Sequence, residues 1–116
     1  MIRLELTEEQ AMVVSRACEF FARVRMGQFQ EIYWECLSAK DCDDYCERRD
    51  NAERELLNAR KYIYPDLHGL GHSYGIGKFK DADQAFDVYQ VLRNLFGDGR
   101  PPFSFWALPK AERFEE

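Results

Sequence analysis

The chain has 116 residues, a length that calls for one compact domain, 1–116, with a core of its own and no need of staples. Sixteen Lys and Arg against 21 Asp and Glu leave a net charge of −5, which works against a broad grip on DNA or RNA phosphates but leaves room for a small basic pocket. No apolar run approaches the ~20 residues that span a bilayer, and the acidic start MIRLELTEEQ lacks a secretory signal pattern, so the expectation is a cytoplasmic protein with no membrane partner.

In a reducing compartment Cys18, Cys36, Cys42 and Cys46 read as free thiols rather than a disulfide framework. Nine Phe, six Tyr and two Trp can fill a small core and leave rings over for a partner surface.

In chain order, IRLEL alternates apolar and charged residues, and Ile2, Leu4 and Leu6 share one face of a predicted short strand. Thr7 and Gln10 form a capping box, so a helix starts at Glu8. Val14, Ala17, Cys18 and Phe21 make one apolar stripe on it, and Val13, Phe20 and Val24 a second. A helix apolar over so much of its circumference is either central in the core or shared with a second copy. Gly27 then introduces a kink or tight connection, and helical periodicity resumes from Phe29 through Leu37.

Ser38 and Asp41 give an S-x-x-D start signal for a helix over 41–64, which Pro65 ends. Its centre, CERRDNAERE, predicts a solvated face laced by i,i+4 pairs Asp44–Arg48 and Asp50–Arg54. Asp81 and Gln84 form a third cap, and a helix over 82–96 gathers Ala85, Val88, Tyr89, Leu92, Leu95 and Phe96 on one face before GDG stops it. The last segment, 97–116, reads as an extended tail with one strand, 103–108, able to pair with 2–6. The fold expected is therefore mainly α: about four helices with a minor two-stranded β ribbon, residues 2–6 and 103–108.

Chemistry concentrates in HGLGHSYGIGKFK, residues 68–80. Gly69, Gly71 and Gly75 approach a dinucleotide fingerprint, but a long polar helix stands where that fingerprint needs a strand. Gly77-Lys78 approaches a Walker loop, but His72 replaces its first glycine and Phe79 its Ser or Thr. A glycine-rich turn leading into a helix can still offer backbone amides to an anion, with Lys78 and Lys80 adding charge and His72, Ser73 and Tyr74 adding donors. The competing reading is a plain structural turn.

Cys42-x3-Cys46 followed by His68-x3-His72 has zinc-ligand types and pair spacings, although the 21 residues between the pairs exceed a finger interval. A nucleophile elbow and a coherent Cys–His pair are both missing, so neither an enzyme nor a cofactor is expected. In MGQF, Gln28 presents an amide beside a helix break. In VYQVLRN, Tyr89 and Arg93 lie at i,i+4 and can converge on one ligand.

Three stretches, VRMGQFQEI (24–32), HSYGIG (72–77) and AFDVYQVLRNLF (85–96), together resemble a group of small accessory proteins of phages and prophages of Gram-positive bacteria that lack an assigned activity. The likeness runs from about Leu6 to Phe96. It implies a phage accessory protein acting inside a bacterial host cell and no mechanism; small phage accessory proteins often act by stoichiometric binding, and antagonism of host defence is the expectation. The expected target is a small anionic, nucleotide-like signal. Gly75 amides, Lys78 and Arg93 would serve its phosphate, Phe29, Tyr74 or Tyr89 its base, and Gln28, His72 and Ser73 would add polar contacts. Direct inhibition of a host protein, through the charged helix 41–64 or the aromatic tail, is the alternative, and a homodimer through the first helix is expected in either case.

Overall fold

A computed structural model describes residues 1–40, 43–103 and 108–114, and among them holds four helices and no strand. These are α1 (Glu8–Arg25), α2 (Gln30–Cys36), α3 (Tyr45–Ile63) and α4 (Lys80–Leu95). The chain divides into two compact units, one of Met1–Ala22 with Phe79–Glu116 and one of Arg23–Lys78.

α1 starts where its capping box dictates. The Thr7 amide donates to Gln10 Oε1 at 3.0 Å, and the Gln10 amide donates to Thr7 Oγ1 at 3.1 Å. Its end is set by Gly27 at φ +96°. The Gly27 amide donates to Val24 O and the Gln28 amide to Arg23 O, both at 2.9 Å, the paired bonds of a Schellman cap. A Cβ at Gly27 would overlap the Leu67 side chain, so glycine is required there twice over. That cap is the tight connection expected before α2.

Among the described residues the β ribbon is not formed. Residues 2–6 are not a strand, and Ile2, Leu4 and Leu6 are exposed. Alternation marks a strand only where a sheet face covers its apolar side, and an isolated two-stranded ribbon is marginal in water. Of the expected partner strand, 104–107 lie outside the described residues, and Phe103 and Leu108 are not in a strand.

Two further helix starts differ from expectation. Ser38 Oγ accepts the Lys40 amide at 3.3 Å, closing a local turn, and α3 begins at Tyr45 behind an Asp44 that makes no side-chain cap bond. Asp41 lies outside the described residues. α4 begins at Lys80 with Phe79 at the cap position, and Asp81 already lies inside the first turn, where its Oδ1 accepts the Ala82 amide at 2.8 Å. Of the i,i+4 pairs expected in α3, Asp50–Arg54 is replaced by nearer partners: Asp50 pairs with Arg49 at 3.2 Å, and Arg54 donates to Asn51 at 2.6 Å. Gly97 at φ +90° and its amide on Asn94 O stop α4 as expected.

In the unit Arg23–Lys78, the core holds Met26, Phe29, Tyr33 and Leu67, with Arg60 buried among them. In the other unit the deepest positions of α4 are Ala82, Asp83, Asp87 and Gln90, while the apolar face expected of that helix is only half-buried. Gln90, 1% exposed, clamps the chain end: its Nε2 donates to Phe103 O at 2.8 Å and its Oε1 accepts the Phe103 amide at 3.1 Å. Arg113 then donates to Leu95 O and to Glu8, tying the last described residues to α4 and to the start of α1.

Candidate functional site

The glycine-rich stretch is organised from inside by a residue that sequence pattern did not single out. Arg60, on the inner stripe of α3 with Leu56 and Leu57, is 2% exposed. Its Nη1 donates to Gly27 O at 3.0 Å and His72 O at 2.9 Å, and its Nη2 donates to Gly69 O. The Tyr74 amide adds a bond to Met26 O at 2.8 Å. MGQF and HSYGIG therefore meet, joined through the carbonyls that one guanidinium gathers. A buried cation is costly unless its donors are met, and here backbone carbonyl dipoles meet them.

Within this unit the predicted ligand groups have other partners. Gln28 Oε1 accepts Arg23 Nη1 at 3.2 Å. Phe29 is buried with its ring 6.1 Å from Tyr64, which leaves no ring face for a base. Tyr74 stands edge-on to Tyr64, carries Lys78 Nζ 5.1 Å above its ring, and donates its hydroxyl to Asp66. That bond holds the Asp66 carboxyl below the usual carboxylate range and raises the Tyr74 phenol. Ser73 is half-buried, and Gly75 O accepts the Lys78 amide at 3.3 Å. The loop is an internally bonded turn whose outer side is open, since a Cβ at Gly71, Gly75 or Gly77 would meet nothing within 4 Å.

His72 Nδ1 accepts the His68 amide at 2.9 Å, and the two rings stack at 6.3 Å. Among the described residues no three His, Cys, Asp or Glu side chains lie close enough to share a metal ion; Cys42 lies outside them, and Cys46 is exposed on α3.

Tyr89 and Arg93 belong to the other unit, where they form a site of their own. A cleft of about 330 Å³ is lined by Met12, Ser15 and Arg16 of α1, Arg93 of α4, and Phe96, Gly97 and Asp98 beyond it. The Arg93 guanidinium lies 5.1 Å from the Tyr89 ring centre, a cation–π stack that fixes its plane. Its Nε is 2.6 Å from Asp98 Oδ2, yet this N–H is buried with no hydrogen-bond partner: the two atoms are close, but the bond vector misses the carboxylate. We read the contact as a charge pair and not as a hydrogen bond. Asp98 bonds instead to Arg100, through its amide at 2.9 Å and its Nε at 3.0 Å. The Arg100 amide first, with both guanidiniums behind it, lowers the Asp98 carboxyl below the usual range.

The i,i+4 spacing of Tyr89 and Arg93 was readable in the sequence. Ser15, Arg16 and Asp98 were not: nothing local brings Ser15 and Arg16 of α1 to the cleft, and the GDG that carries Asp98 just past Arg93 signals only a helix stop. No protein-family model, curated protein or solved structure matches the chain. Among the described residues no helix is long and apolar enough to cross a membrane.

Proposed function

We propose that this protein is a phage-borne accessory factor that works by stoichiometric capture of a small anionic, nucleotide-like signal in the bacterial cytoplasm, and so blunts host defence. The context rests on the motif resemblance. The ligand class rests on one observation, the cleft lined by Arg16, Arg93 and Ser15 with Met12 and Phe96 as its apolar wall. Two arginines on one cleft offer an anion a place to bind in a chain of net charge −5, and Arg is the side chain whose planar fork matches a phosphate. The volume lies at the small end of ligand pockets, which run from roughly 300 to 1,000 Å³. It suits a mononucleotide better than a dinucleotide.

The capturing species is a homodimer. On α1, Val13, Ala17 and Phe21 form an exposed i,i+4 ridge. A twofold axis near Ala17 lays two such ridges antiparallel and sets the acidic first turn, Glu8 and Glu9, against the basic last turn, Arg23 and Arg25, of the second copy.

Thermal melting against nucleoside monophosphates, cyclic nucleotides and ADP-ribose-type compounds tests capture directly. A ligand that binds only the folded chain, at a hundred times its Kd, stabilises it by about 2.7 kcal/mol. At least one mononucleotide is expected to raise the melting temperature by several degrees, and Arg93→Ala to abolish the rise while the unliganded protein still melts cooperatively. A chain that ignores the whole panel and instead co-purifies stoichiometrically with one host protein would overturn the reading in favour of direct protein inhibition.

A further inference from the structure

We infer that Asp98 is a resident anion in the arginine cleft, a built-in competitor that a ligand's terminal phosphate displaces from Arg93. The inference rests on the capture reading and adds how the site is controlled and which part of the ligand Arg93 takes.

Arg93 is held as a receptor and poorly used as a partner. Its side chain is 17% exposed, its plane is stacked on Tyr89, and its nearest anion is Asp98 at 2.6 Å from Nε. That contact supplies charge without alignment, because the Nε–H finds no acceptor. Among the described residues the two Nη nitrogens have no hydrogen-bond partner either. A guanidinium stacked in this way presents its edge, and an oxyanion with two coplanar oxygens can take two N–H groups from that edge at once. Asp98 offers nothing comparable, since its oxygens are committed to the Arg100 amide and Nε. The exchange therefore replaces a misaligned charge contact by a bidentate, charge-assisted pair.

The carboxylate also has somewhere to go. Gly97 and Gly99 flank Asp98 at φ +90° and +77°, and a Cβ built on either would meet nothing within 4 Å. The turn can re-aim Asp98 toward solvent with Arg100, itself 68% exposed, still bonded to it.

Competition of this kind lowers the apparent affinity by the fraction of molecules in which Asp98 is out of the way. If that fraction is a tenth or less, removing the carboxylate strengthens binding about tenfold or more. Calorimetric titration of the full chain with AMP, and separately with inorganic phosphate, reads this. Asp98→Asn is expected to bind AMP at least tenfold more tightly than wild type, Asp98→Ser to do the same, and Arg93→Gln to lose binding in either background. Inorganic phosphate gaining by the same factor in the two Asp98 variants would identify the phosphate, and not the base, as the group that competes. AMP binding by wild type that needs Arg93 but does not tighten in either Asp98 variant overturns the inference and leaves capture standing. Absence of binding by wild type and by both Asp98 variants, all folded by melting, overturns the inference, and capture falls with it when the nucleotide panel also leaves the melting temperature unmoved.

Discussion

At the scale of single residues, Arg60 carries more of the unit Arg23–Lys78 than its place in a charged helix suggests. Three carbonyls from two separate loops converge on its guanidinium, and the buried one, Gly27 O, would lose this donor without it. Met matches the stem of Arg but supplies no donor. Hydrogen bonds to a charged group contribute roughly 1.5–3 kcal/mol each, and acceptors stranded in the interior add their own desolvation cost. Arg60→Met is therefore expected to lower the urea midpoint by an amount equivalent to about 3 kcal/mol, with Lys at that position intermediate because it reaches fewer acceptors. The Tyr74 amide, bonded to Met26 O across the same junction, should lose hydrogen-exchange protection in parallel. An unchanged midpoint in Arg60→Met would mean that the loops hold themselves. The reason Arg60 escaped notice in the sequence is physical: RRDNAERE, residues 48–55 just before it, is a solvated pattern, and a single basic residue on the inner stripe beside Leu56 and Leu57 is a signal only once the carbonyls opposite it are known.

At the scale of elements, local chemistry was legible and tertiary chemistry was not. The box of Thr7 and Gln10, the break at Gly27 and the stop at GDG each depend on groups within six residues, and each is realised in hydrogen bonds of the expected kind. The misplaced starts at Ser38 and Asp81 show the limit of the same signals: Ser38, well ahead of α3, closes its own turn on Lys40, and Asp81, already inside α4, bonds the next amide instead of capping the helix. Strand 2–6 failed because alternation says nothing about whether a second surface exists to cover it. The candidate site divides in the same way: Tyr89 over Arg93 is a within-helix pair and Asp98 follows in the stop turn, whereas Ser15 reaches the cleft only through the tertiary fold. The realised box gives a direct test. Thr7→Ala removes the oxygen that accepts the Gln10 amide and should cost about 1 kcal/mol, the usual worth of an N-cap. Gln10→Ala removes only the reciprocal bond and should cost less. Urea midpoints that rank the two in the opposite order would show that the hydroxyl is not what starts α1.

At the scale of the whole molecule, the question is whether the proposed dimer is compatible with a net charge of −5. Like charges repel, but beyond a Debye length of about 8 Å at physiological salt that repulsion is largely screened, and contact energetics decide. The contact available is the α1 ridge, where Val13 is 60% and Phe21 45% exposed, more apolar side chain than a helix facing only water needs. Burial of Phe21 alone at a twofold interface occurs twice, once from each copy, so one substitution removes two rings from the contact. Sedimentation at micromolar concentration should therefore give twice the 13.7 kDa chain mass, and Phe21→Glu should give the monomer. Because Phe21 is half-exposed within one chain, the monomeric variant should keep its cooperative melt, losing only the concentration dependence that dimerisation confers on the melting temperature. A wild-type chain that sediments as a monomer across that range removes the dimer from the reading, while the arginine cleft, built wholly from one chain, is untouched by that result.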